Sequence, residues 1–205
     1  MNNNTKKSSH YMPDELNAIG LAKFGEGLLI DRSVRFYNPG HIYIGSNVRI
    51  DAYCVLSASE AGIYIGNHVH LSVGVTMVGQ EKITIEDFCG FSVRACVFSS
   101  NDDYSGGYMT NPTIPDEFRN AKNAEVIFRR HVIVGAGSII LPGVIIGIGA
   151  SIGALSLVNK SVPEFMIVSG NPIRKIGIRD RRVLEKEKDF LQGITFQGKN
   201  HEDIQ

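Results

Sequence analysis

Residues 134–161 read VGAGSIILPGVIIGIGASIGALSLVNKS, and their spacing decides the fold. Val134, Ile140, Ile146, Ile152 and Val158 recur every six positions, each followed mostly by glycine or another residue that tolerates a turn. A strand repeats its side-chain direction every second residue and an α-helix about every 3.6, so a strict period of six fits neither alone. It fits a parallel β-helix, in which a short strand ends at a corner, the chain turns, and the next aliphatic enters a shared interior.

The same frame extends backward. Phe24, Ile30 and Phe36 lead three hexads, then Ile44, Ile50 and Leu56, then Ile65, Leu71 and Met77, then Ile85, Phe91 and Val97. Phe128, Val134 and Ile140 precede the final triplet. The frame breaks only between triplets, at Ala58 to Gly62, at Gly79 to Glu81 and across Phe98 to Ile127. Three hexads therefore make one triangular turn, and every insertion falls at one corner. The expectation is an all-β parallel β-helix of about six coils, with short helices at both ends. Residues 1–23 form an N-terminal arm and helix, 24–176 the β-helix, and 177–205 a C-terminal helix and tail.

Pro13, Asp14 and Glu15 ahead of Leu16, Ile19 and Leu21 predict the first helix, since proline suits a first turn and acids suit its positive end. It is placed to cover the open end of the solenoid, which otherwise exposes unpaired strand edges. Arg179 to Leu191 predicts the second helix, with Val183, Leu184 and Leu191 as its apolar stripe. Residues 1–12 and the tail GKNHEDIQ are polar and expected to be mobile.

Composition narrows the function. Lys and Arg total 21 and Asp and Glu total 21, so no basic field favours nucleic acid. No apolar run reaches the roughly 18 residues of a membrane span, and residues 1–16 lack the apolar core of a secretory signal. Cys54, Cys89 and Cys96 lack metal-like spacing and suit a reducing cytoplasm. With 22 glycines and no tryptophan, the composition fits a thin, many-cornered solenoid. The long polar excursion from residue 98 to 125 leaves a rigid scaffold at a fixed corner, where function is expected.

The run VGAGSIILPGVIIGIGASIGALSLVNKSVPEFMIVSGNP resembles the left-handed β-helix acyltransferases of the hexapeptide-repeat superfamily, and among them the sugar and nucleotide-sugar O- and N-acetyltransferases. The resemblance spans roughly residues 24–176 and implies a left-handed coil. It also implies a homotrimer with acetyl-CoA as cosubstrate between subunits, a cytoplasmic location, and a sugar acceptor for bacterial surface polysaccharide. The acceptor attacks the thioester directly, so the enzyme orients a hydroxyl or amine, takes its proton and stabilises the oxyanion. Such enzymes carry a histidine at the start of the extended loop, and here Asp102 stands in that place. Asp102 is then the candidate base, if burial or the neighbouring Asp103 raises its pKa, or else a group that orients an amine. Asn101 and Tyr104 are the candidate acceptor contacts. The alternative is that Asn101, Asp102 and Asp103 only form an Asx turn. His70 and His131 are the alternative bases; each alone, like His68, is otherwise a surface or interface histidine. The resemblance places pantetheine against the turns at Gly135, Ala136, Gly153 and Ala154, and the nucleotide phosphates near Lys160 and Arg174. Gly170-Asn171-Pro172-Ile173 departs from the usual motif by its isoleucine. Acyl transfer to an amino acid or antibiotic is a second reading. A catalytically silent scaffold is a third, and a carbonic-anhydrase-like protein lacks an obvious histidine set. No metal site is expected.

Overall fold

The computed structural model describes residues 8–202, with side chains through 193. The sequence expectations for residues 1–7 and for the end of the polar tail lie outside the described residues. Three parallel sheets form the faces of a triangular β-solenoid of six full turns and a partial seventh. The first face comprises Lys23–Phe24, Ile42–Ile44, Ile63–Ile65, Ile83–Ile85, Val126–Phe128 and Ile145–Ile146. The second comprises Leu29–Ile30, Arg49–Ile50, His70–Leu71, Gly90–Phe91, Ile133–Val134, Ser151–Ile152 and Met166–Ser169, closed by the antiparallel strand Arg174–Ile178. The third comprises Arg35–Tyr37, Val55–Ser57, Thr76–Val78, Cys96–Phe98, Ile139–Ile140 and Leu157–Val158. The partial seventh turn extends the expected count by the strand Met166–Ser169 and the bridge between Ile146 and Val162.

Each leading aliphatic of the second face is buried, from Ile30, Ile50 and Leu71 to Phe91, Val134, Ile152 and Val168. A second inward row lies four residues after each leader, and the periodicity of the aliphatics alone did not reveal it. On the second face it runs Val34, Cys54, Val75, Ala95, Ser138 and Ser156, all buried. It tolerates small residues because the corner narrows there, and the two serines satisfy their hydroxyls on Gly153 O at 3.0 and 2.7 Å. The left-handed backbone of the corners falls three residues after the leader, not directly behind it. His68, Phe88 and His131 take φ of 54°, 62° and 61° there. Asparagine and histidine tolerate this region better than most side chains. Gly135, directly behind its leader, has a different task. A Cβ on it would sit 2.5 Å from the Ala154 nitrogen of the next coil, so only glycine permits that stacking distance.

Helix α1 (Pro13–Ile19) closes the N-terminal end as expected. Leu16 is buried against the first coil, and Glu15 makes paired hydrogen bonds of 2.8 and 2.6 Å with Arg32. Helix α2 (Val183–Glu202) starts four residues later and runs further than the sequence reading expected. Arg179 is not part of it. Its guanidinium instead donates to His131 O at 2.7 Å and Gly149 O at 3.1 Å, tying the chain to the corner before the helix begins.

The Phe91 and Phe128 rings meet edge to face at 4.8 Å in the middle of the solenoid. Phe128→Ala is expected to destabilise the fold by about 3–5 kcal/mol through the cavity it leaves, read as a lower denaturant midpoint. Burial pushes the Cys54 thiol up to about 11 and the Cys89 thiol up to about 12. Raised thiol pKa values leave little thiolate at pH 8. Native protein should therefore react with a disulfide reagent at neither cysteine until denaturant opens the coils.

Candidate active site

The excursion after the third face is a folded arm. Ser100–Asn101 pairs antiparallel with Lys122–Asn123, so the insertion leaves and returns as a hairpin stem. Asp102 stands exposed where this stem opens, and it lines a cleft of about 270 Å³ with Asn101, Gln80, Arg119 and Asn123. A second cleft of about 420 Å³ shares Gln80, Pro112, Arg119, Ala121 and Asn123 with the first, so the two are continuous. Asp103 points elsewhere. It accepts a hydrogen bond from Ser105 Oγ at 2.8 Å, and this bond foremost holds its carboxyl below the usual carboxylate range. Asp103 thus closes a local turn, while Asp102 faces the cleft. Tyr104 is exposed at the arm's surface. Arg119 was not singled out from the sequence. Its guanidinium is braced by Asp116, and its Nε is a buried donor with no partner among the described residues. A cation in a long polar insertion carries no periodic signal, and only the hairpin brings it beside Asp102.

The histidines separate into two environments. His70 lies on the outer side of the second face, in register with Arg49 before it and Gly90 after it. Its Nε2 lies 2.8 Å from Asp51 Oδ2, and Asp51 Oδ1 accepts from Arg49 Nε at 2.7 Å. Burial pushes the Asp51 pKa up, but the hydrogen bonds from Arg49 and His70 outweigh it and hold the group below the usual range. His131, expected as a surface or interface histidine or an alternative base, is buried within the chain. Its ring stacks on Phe88 at 5.1 Å, and its Nε2 lies 3.0 Å from the Glu187 carboxylate of α2. Phe88 stacks in turn on His68 at 5.1 Å, and Phe190 of α2 meets both rings edge-on. Glu187 also binds Arg130 at 2.8 Å. This corner ladder is a seat for the helix.

Gly135 and Gly153 stack at the corner between the second and third faces, beside Ala136 and the exposed Ala154. Lys160, after the last third-face strand, and Arg174, opening the terminal antiparallel strand, are both exposed. Ile173 is buried and donates its N–H to Leu157 O at 3.1 Å, so the isoleucine of this motif belongs to the core.

No protein-family model matches the chain. The dTDP-4-amino-4,6-dideoxy-D-glucose acyltransferase of Escherichia coli is 42% identical over 176 residues, covering 86% of this chain and 92% of its own. The structure of AntD, an N-acyltransferase from Bacillus cereus in complex with dTDP and 3-hydroxybutyryl-CoA, superposes with a TM-score of 0.88 at 41% identity, covering 92% of this chain and 99% of that one. The lipopolysaccharide biosynthesis O-acetyl transferase WbbJ of Escherichia coli strain K12 is 27% identical, covering 77% of this chain and 71% of its own. The chain belongs to the hexapeptide-repeat family of sugar acyltransferases, and it is an acyltransferase.

Removing the Glu187 carboxylate would leave the buried His131 Nε2 without its partner. Glu187→Ala is expected to cost about 1–3 kcal/mol, with amide exchange rising in residues 183–193 before the solenoid opens.

Proposed function

We propose that the chain transfers a short acyl group from acyl-CoA to the amino group of a dTDP-linked 4-amino-4,6-dideoxy sugar. One observation carries this. AntD has been solved as variants at one serine and one aspartate, ten positions apart, bound to dTDP or dTDP-4-amino-4,6-dideoxyglucose and CoA. In this chain Ser92 and Asp102 are the serine–aspartate pair with that separation. Asp102 also stands where the sequence resemblance places the usual histidine.

The chemistry suits an amine. A neutral amine is already a strong nucleophile, so the enzyme needs a group that orients it and takes its proton. The nitrogen attacks the thioester carbonyl, a C–N bond forms and the C–S bond breaks. The amine proton passes to Asp102, which hands it to the departing thiolate, so CoA leaves as the thiol. Asn101 and the Arg119 guanidinium, with its unpaired Nε, contact the polar nucleotide sugar in the cleft. Gly135, Ala136, Gly153 and Ala154 lie against pantetheine, and Lys160 and Arg174 meet the CoA phosphates. We assign His131 to the seat of α2 and not to the base, because its ring is buried and its Nε2 faces the Glu187 carboxylate.

The active unit is a homotrimer with sites between subunits. The Asp102 cleft and the cleft beside Ser92 share no lining residue, which fits a site assembled from two subunits. Ile133, Ile139 and Ile145, each at least 40% exposed, supply apolar contact area for association. The product enters bacterial surface-polysaccharide assembly, and three free thiols fit a cytoplasmic enzyme.

Incubation with dTDP-4-amino-4,6-dideoxyglucose and acetyl-CoA or 3-hydroxybutyryl-CoA should yield the N-acylated sugar by mass spectrometry. Asp102→Asn should lower kcat/KM by about 10²-fold or more. Trimers mixed from Asp102→Asn and Ser92→Ala subunits should regain activity, because one junction per mixed trimer holds both native residues. Failure to complement would place both residues in one subunit's site. Lys160→Glu and Arg174→Glu should each weaken CoA binding in titration calorimetry, and wild-type affinity in both variants would remove these residues from the CoA site.

A further inference from the structure

The outward row of the second face runs Leu29, Arg49, His70, Gly90, Ile133, Ser151 and Ile167, each in register with the next. Gly90 is the gap in this ladder. Glycine inside a strand is unfavourable, because it adds backbone entropy to the unfolded chain and brings no side chain to pack. Neither usual reason for one applies here. The backbone of Gly90 lies outside the left-handed region, and a Cβ built on it meets no heavy atom within 4 Å. Gly25, Gly45 and Gly66 of the same solenoid, by contrast, would each bring a Cβ under 3.0 Å from the neighbouring coil. The packing of the coils therefore does not call for glycine at 90, and its absent side chain leaves open space on the outer surface of the face.

The gap lies within a cleft of about 300 Å³. Ile133 and Val93 give it apolar walls, and His70, Ser72 and Ser92 give it a polar edge. Among the described residues, the hydroxyls of Ser72 and Ser92 have no hydrogen-bond partner. The His70 ring is held by one nitrogen. The ionised Asp51 carboxylate accepts only, so in the neutral imidazole Nε2 carries the proton and Nδ1 is the acceptor.

We propose that the slot over Gly90 receives the acyl-thioester end of acyl-CoA, and that His70 borders it as a substrate-contacting residue whose ring Asp51 positions. This rests on the reading of the chain as an acyl-CoA-dependent enzyme. The missing Cβ gives the acyl group its place against Ile133 and Val93. The attacking amine arrives at the polar edge, where Nδ1 of His70 accepts a hydrogen bond from its N–H. Asp51 touches no substrate and sets the tautomer and orientation of the ring.

Gly90→Val tests the slot. A β-branched residue suits the strand, so the thermal midpoint should stay or rise. Filling the acyl slot should nonetheless lower kcat/KM by about tenfold or more, the scale on which apolar pockets discriminate added methyl groups. Titration calorimetry should show weaker binding of acetyl-CoA to the variant with binding of free CoA kept. Equal acetyl-CoA binding and turnover in wild type and variant would overturn the proposal. So would a change in oligomeric mass, which would show that a neighbouring subunit occupies the gap. The acetyl-CoA binding comparison needs no acceptor. A wild-type protein that binds acetyl-CoA but acylates no dTDP-amino sugar would refute the acceptor assignment and leave the slot to be judged by calorimetry. His70→Gln and Asp51→Asn should each lower kcat about tenfold, with CoA and dTDP affinities at wild-type values, and the double variant should be no worse than His70→Gln alone. Unchanged kcat in either, or additive losses, would remove the positioning role.

Discussion

Every coil of this solenoid rests on the one below through backbone hydrogen bonds between parallel strands, at a spacing of about 4.8 Å. That spacing governs everything else. It brings equivalent hexad positions into direct contact, so side chains form ladders along each face and each corner. Tyr43 and Tyr64 stack at 4.5 Å with nearly parallel planes for this reason. So do His68, Phe88 and His131. The same constraint excludes a side chain from Gly135, whose Cβ would strike the next coil's backbone. A residue that interrupts the stack has to leave at a corner where no ladder continues, and the insertions accordingly share the corner between the third and first faces.

A scaffold so constrained offers flat, stiff faces and one place for elaboration. In the proposed reaction the chemistry divides along that line. The second face holds groups whose positions the coil dictates, with His70 in register between Arg49 and Gly90 and its Nε2 on Asp51. The arm supplies groups that the coil does not dictate, with Asp102 and Arg119 brought together by its hairpin stem. Acyl transfer from a thioester asks for little covalent help and much orientation. A stiff solenoid and a folded arm both hold side chains in fixed positions.

The two helices answer a different requirement, since a stack of coils has ends and an exposed corner. Helix α1 covers the first coil with Leu16 and the Glu15–Arg32 pair. Helix α2 lies against the aromatic corner ladder, where Glu187 bridges Arg130 and the buried His131. His131, a candidate base in the sequence, is thereby held in the seat of the helix, while His70 lies with Asp51 at the outer surface.

The sequence by itself determined the solenoid, the grouping of hexads in threes, the corner that carries the insertions, the capping helix α1 and the acid at the base of the arm. These are local or strictly periodic features, and the six-residue repeat writes them in the identity of single residues such as Ile140, Ile146 and Ile152. Only the tertiary structure decided what the non-periodic residues do. Coil stacking places Asp51 beside His70 although 19 positions separate them, and folding of the arm sets Arg119 beside Asp102. The packing of α2 buries His131, and the open space above Gly90 marks it as different from the glycines the coil requires. Those distinctions depend on which atoms lie across a gap of one coil or one hairpin, and no spacing along the chain encodes that distance.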